Sequence, residues 1–85
     1  MLKVVIADDE ERICRLIVKL VDWDALEMKV VGIANNGIEA IELVKTLIPD
    51  IVITDIRMPG YDGLDMIMKA KEINEQIEFI IISGY

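Results

Sequence analysis

Four short apolar runs alternate with three stretches of helical periodicity, and this alternation restricts the fold more than any other feature of the chain. The runs are Lys3-Val4-Val5-Ile6-Ala7, Lys29 to Ala34, Ile51-Val52-Ile53-Thr54 and Glu78-Phe79-Ile80-Ile81-Ile82. Each is apolar almost throughout rather than every second residue, and rich in β-branched side chains, as a strand buried on both faces requires. Between them, Ile13, Leu16, Ile17 and Leu20 recur at helical spacing, as do Ile38, Ile41, Val44 and Ile48, and then Leu64, Ile67 and Ala70 to Ile73. The first helix is expected from about residue 10 to 21, with Asp8 and Asp9 at its N-cap and acidic residues facing the positive end of its dipole. Residues 21–28 read as a connecting loop anchored by Trp23, Asn35-Asn36-Gly37 ends the second strand, Pro49-Asp50 stops the second helix, and Pro59, Gly60 and Gly63 form the loop after the third strand. The resulting order is βαβαβαβ with short connections. It predicts an α/β domain built on a parallel sheet with right-handed crossovers.

Composition excludes several classes of function. At 85 residues the chain is one domain at most, yet its apolar fraction is 54% and its mean hydropathy +0.45. That exceeds the roughly 45–50% of ordinary soluble domains, so either the elements are buried on nearly every side or some apolar surface is covered by another partner. Even so, no apolar run approaches the roughly 18–20 residues of a membrane helix. Met1-Leu2-Lys3-Val4 leads straight into a strand without the features of a signal peptide, so the cytoplasm is the expected compartment. The single cysteine, Cys14, rules out an internal disulfide; it lies off the strongest apolar stripe of its helix and is given no redox role. The absence of histidine argues against zinc ligation and histidine general-base catalysis. A formal charge of −7 argues against nucleic-acid binding by this chain. Met58, Met66 and Met68 read as packing residues and the Arg57 side chain as solvated.

The residues that could carry chemistry fall at the carboxyl ends of predicted strands, where open parallel sheets bind their ligands. Asp8 and Asp9 follow the first strand, Asp55 the third and Ser83 the fourth. Taken singly, the aspartates are more often caps or turn formers, and Ser83-Gly84 is as readily an ordinary turn. If the first and third strands are neighbours, however, three carboxylates converge on one patch. Their mutual repulsion would be relieved by a hard divalent cation such as magnesium, which prefers oxygen ligands. An aspartate beside such a cation can act as a nucleophile towards a phosphoryl group. A hydroxyl such as that of Ser83 could donate a hydrogen bond to a phosphoryl oxygen.

The Asp-Asp-Glu after the first strand, the stretch Ile51-Val52-Ile53-Thr54-Asp55-Ile56-Arg57-Met58-Pro59-Gly60-Tyr61-Asp62-Gly63 and the ending Ile81-Ile82-Ser83-Gly84-Tyr85 resemble the receiver domains of two-component response regulators. The middle stretch is the most specific. This resemblance implies a flavodoxin-like, doubly wound sheet with strand order 2-1-3-4 over the strands present. It implies that Asp55 is phosphorylated by a histidine kinase and that Mg2+ is held by Asp9, Asp55 and the backbone carbonyl of Arg57, with Asp8 acting mainly through water. Ser83 would be the switch hydroxyl, and Gly84 the small residue that leaves the phosphate accessible. The Val21-Asp22-Trp23-Asp24 loop and the Asn36-Gly37 turn are similar to regulators with an AraC-type helix-turn-helix output, which implies control of transcription.

The pattern also departs from the family. Receiver domains have a fifth strand, bearing an aromatic switch residue and a lysine that contacts the phosphoryl group, and a fifth helix; residues 1–85 contain none of these. Residues 1–85 are therefore expected to be a partial receiver domain, weakly active or inactive alone. The edge of the fourth strand and one side of the first helix would be exposed, which predicts self-association as a homodimer. Two other readings stand beside this one. The chain could be a half-domain fold fragment without activity. Alternatively, it could be a phosphotransferase with an aspartyl nucleophile, although enzymes of that kind carry a second acid two residues on, where this chain has Arg57.

Overall fold

The structure, a computed structural model, describes residues 1–56 and 63–82. Strand β1 (Leu2–Ala7) is followed by α1 (Glu11–Leu20), β2 (Met28–Ala34), α2 (Gly37–Leu47), β3 (Ile51–Asp55), α3 (Gly63–Ile73) and β4 (Glu78–Ile82). The four strands form one parallel sheet in the order β2-β1-β3-β4. This is the flavodoxin-like order expected from the resemblance.

The continuous apolarity of β1 is explained by the two layers that flank it. Val5 and Ala7 face one way and pack with Val52, Ala40, Ile41, Val44, Met66 and Ala70 beneath α2 and α3. Val4 and Ile6 face the other way, joining Cys14, Ile51 and Ile53 beneath α1. A strand in the middle of such a sandwich has no solvent side on which polar residues could alternate. Trp23 anchors the loop after α1, as expected: it packs against the α1-side core and its indole Nε1 donates to the carbonyl of Val18 at 3.1 Å. Met66 is core, whereas Met68 is exposed and Met58 lies outside the described residues.

Three local expectations are corrected. Helix α1 is capped by Glu10, not by Asp8 or Asp9, and the Glu10 side chain makes no capping bond. Asp8 is still paired to the sheet through its N–H to the carbonyl of Ala34 at 3.0 Å, so two more residues are needed before the chain turns into the helix. Cys14 is fully buried and sits on the sheet-facing side of α1, while Leu16 and Leu20, assigned to the apolar stripe, are exposed. Ile48 is not part of α2; it is the exposed left-handed cap at φ 46°, a conformation costly for a β-branched residue, and Pro49 then prevents the helix from continuing.

The amino-terminal rim of the sheet is fastened through Asp50. Its carboxylate accepts the Lys3 N–H at 2.7 Å, its own N–H donates to the Lys3 carbonyl at 2.9 Å, and its carbonyl accepts from Glu78 N–H at 3.0 Å. The Lys3 Nζ meanwhile donates to the carbonyl of Leu47, at the end of α2. One turn residue thus ties the starts of β1 and β4 together.

Candidate functional site

At the opposite rim, topology brings the acidic residues together. Strands β1 and β3 are neighbours with Ala7 opposite Thr54, so the next residue of each, Asp8 and Asp55, emerge side by side. One oxygen from each of Asp8, Asp9 and Asp55 lies within 4.8 Å of the other two. Ligands on opposite sides of a magnesium ion stand about 4.2 Å apart, twice a bond of roughly 2.1 Å. Adjacent ligands stand closer, about 3.0 Å apart, so side-chain movement or a bridging water would complete a shared site, and an all-carboxylate donor set suits a hard cation. Among the described residues the geometry fits the group.

Burial differs across the three. Asp8 is buried, Asp55 half-buried and Asp9 exposed, which leaves an open mouth on the Asp9 side. Burial pushes the Asp8 carboxyl above its ordinary pKa; the Glu10 N–H, donating to Asp8 Oδ1 at 2.9 Å, pulls the other way, and the nearby charges of Asp55 and Asp9 raise it further. The folded protein therefore holds this proton more tightly than the unfolded chain does. The associated stability is fully present below the unfolded pKa and is lost as pH rises from that value to the raised folded one. At neutral pH, ionised Asp8 is a net cost to the metal-free fold. Asp8→Asn keeps the oxygen that accepts the Glu10 N–H and removes the charge, so its melting temperature in EDTA at pH 7 should exceed wild type by a few degrees. That gain should shrink as pH falls into the range where Asp8 is protonated, and thermal melts across pH test it.

Arg57, whose carbonyl was expected to bind the metal, and Ser83 and Gly84, expected at the phosphoryl group, lie outside the described residues. The response regulator receiver domain family matches residues 4–85. The chain belongs to that family. This receiver sequence is 40% identical over 85 residues to the "uncharacterized transcriptional regulatory protein YesN" of Bacillus subtilis, covering 100% of the chain and 23% of that protein. It superposes on the receiver domain of AraT, a response regulator from Geobacillus stearothermophilus, with a TM-score of 0.94 and 39% identity, covering 99% of this chain and 65% of that one. A CheX–CheY complex with BeF3 and Mg from Borrelia burgdorferi aligns with a TM-score of 0.87 and 26% identity, over 99% of this chain and 63% of that one. The receiver chain thus spans about a quarter of YesN and about two-thirds of the AraT domain. No described helix is long and apolar enough to cross a membrane.

Two residues beside the acidic turn of this receiver were given no part in it by the sequence. The Cys14 Sγ lies 3.7 Å from the Asp8 carbonyl, and the Asn35 Nδ2 lies 3.4 Å from the same oxygen. Burial raises the thiol pKa, with the charge of Asp8 adding to it, so Cys14 keeps its S–H proton and acts as a donor. For Asn35 the only signal is the strand register. Once β1 and β2 pair with Ala7 opposite Ala34, the residues that follow, Asp8 and Asn35, must be neighbours.

Proposed function

We propose that the protein is the phosphoacceptor receiver of a two-component system, in which Asp55 takes a phosphoryl group from a histidine kinase with Mg2+ bound beside it. The observation that carries this reading is the convergence of the Asp8, Asp9 and Asp55 carboxylates within 4.8 Å at the carboxyl rim of the sheet. The CheX–CheY complex with BeF3 and Mg, whose fold this chain shares, supports it.

In this reading an oxygen of the Asp55 carboxylate attacks phosphorus, the bond from phosphorus to the kinase histidine nitrogen breaks, and that nitrogen keeps the electron pair. Asp9, Asp55 and the Arg57 carbonyl, with Asp8 acting mainly through water, would hold a magnesium ion, which would supply neutralisation of charge on the transferring oxygens. Asp8, fixed at the strand end, holds negative charge behind Asp9 and Asp55. Asp9, on the open side, admits the donor. Ser83 donates its hydroxyl to the phosphoryl oxygens, and Gly84 keeps the approach unobstructed. The output is control of transcription, as the name of YesN suggests for that relative, through the AraC-type domain implied by the loop resemblance. Residues 1–85 then form the first two-thirds of the receiver domain, in keeping with the 65% of AraT that they cover.

Magnesium titration followed on the amide resonances of Asp9 and Asp55 tests the reading. Saturable shifts at these two positions are expected, with the far rim around Asp50 unaffected. Absence of any shift at millimolar Mg2+ would count decisively against the site. The 85-residue chain alone is also expected to associate into homodimers, since Ile80 and Ile81 of β4 and Leu16 and Leu20 of α1 are exposed apolar residues. Sedimentation should show a concentration-dependent rise in mass; a monomer throughout refutes that expectation.

A further inference from the structure

We infer that Asn35 is a positioning residue for the acidic site, tying the β2–α2 connection to the turn that carries Asp8 and Asp9. This inference rests on the divalent-cation reading of that site and adds a residue that contacts neither the cation nor the phosphoryl group.

Every polar group of Asp8 on which the turn could pivot is engaged. Its N–H reaches the carbonyl of Ala34 at 3.0 Å, its Oδ1 accepts from Glu10 N–H at 2.9 Å, and its carbonyl receives both the Cys14 thiol and the Asn35 side-chain amide. Three of these contacts come from segments packed close to the turn or from the sheet ladder itself. The Asn35 amide is different, because it is a side-chain contact that arrives from a segment 27 residues away in sequence. The peptide it holds is the one linking Asp8 to Asp9. Fixing the Asp8 carbonyl fixes the plane of that peptide, and with it the direction in which the exposed Asp9 carboxylate leaves the backbone.

The neighbouring asparagine has a separate task. Asn36 is the N-cap of α2, its Oδ1 accepting from Glu39 N–H at 2.8 Å, while the Asn35 backbone N–H donates to Glu39 Oε1 at 2.9 Å. These two bonds form a reciprocal cap in which the Asn35 side chain takes no part. Removing the Asn35 side chain therefore leaves the cap intact, whereas removing that of Asn36 breaks it and leaves the tether.

The two substitutions separate positioning from stability. With the titration of Asp9 and Asp55 amides by Mg2+ as readout, Asn35→Ala and the volume-conserving Asn35→Leu should weaken affinity roughly two- to threefold, the low end of one hydrogen bond's net contribution, as befits a 3.4 Å contact. Their melting temperatures in EDTA should stay close to wild type. Asn36→Ala should lower the melting temperature and leave the affinity unchanged. In the metal-free protein, the Asp9 and Glu10 amides should exchange faster in Asn35→Ala than in Asn36→Ala. If Asn35→Ala binds Mg2+ as tightly as wild type, or if affinity merely follows melting temperature across all three variants, the positioning role is wrong. If wild type itself shows no Mg2+ shifts, the reading of the acidic site fails, and the inference falls with it.

Discussion

Asp55→Asn is expected to abolish labelling by acetyl phosphate in a protein that carries the whole receiver domain. In the proposed reaction a carboxylate oxygen of Asp55 attacks phosphorus and acetate departs. An amide oxygen of the same size carries no full charge and cannot form the acyl phosphate. Nothing else in the neighbourhood should replace it. Asp8 is buried, its Oδ1 occupied by the Glu10 N–H, and Asp9 follows it in a turn whose backbone is held from β2 and α1. The loss should be at least about a hundredfold in rate, the order seen when one group central to transition-state stabilisation is removed. The variant should nevertheless fold, because exchanging a carboxylate for an amide among three acids relieves repulsion. Intact-mass measurement after incubation with acetyl phosphate and Mg2+ reads the outcome directly. A single phosphoryl adduct persisting on the Asp55→Asn protein would mean that another residue is the acceptor.

The second large effect belongs to Gly63, the first residue of α3. A Cβ there would stand 2.5 Å from the Ile56 Cα and 2.7 Å from the Asp55 carbonyl oxygen, and the three nearest atoms are all backbone. The Gly63 N–H also donates to the Ile56 carbonyl, so the start of α3 lies directly on the chain leaving β3. Gly63→Ala must drive the helix off the sheet or pull Asp55 and Ile56 out of register. A cost of about 3 kcal/mol is expected, at the upper end of overpacking penalties because no flexible side chain can yield. In a domain of this size that corresponds to a fall in melting temperature on the order of 12–24 °C. Gly32→Ala provides the contrast. Its Cβ would meet Leu43 Cδ1 at 3.1 Å and Leu47 Cδ1 at 3.2 Å, the ends of side chains that can shift. Calorimetry on the two variants should separate them clearly, and a Gly63→Ala protein melting with wild type would refute the close approach.

The sheet and its helices were readable because two periods compete visibly along this chain. Ile51-Val52-Ile53-Thr54 has no polar face and fits only a strand covered on both sides, whereas Ile41 and Val44 fit only a helix with one buried face. Strand order was not readable from these runs alone; it came from the Asp55 motif and the family it resembles. The buried face of helix α1 was misjudged because the helix carries two overlapping apolar stripes. Ile13, Leu16, Ile17 and Leu20 satisfy helical spacing, and so do Cys14, Ile17 and Val18. Only the position of the sheet decides between them, and it buries Cys14 and packs half-buried Ile17 and Val18 against the core. At the site, three aspartates could be named from strand ends, but Asn35 could not. Its importance depends on the register of β1 with β2, which includes a shift between Val4 and Val5 that no local pattern announces.

The fastening of Lys3, Asp50 and Glu78 bears on how the opposite rim can respond to a ligand. With the strands stapled at one end, β1 and β3 cannot slide past each other when charge arrives at the other. A sheet held in this way confines displacement at Asp55 to the tips of the strands, where β4, paired with β3 as far as Asp55 and Ile82 and tied to Asp50 through Glu78, is the strand placed to follow it.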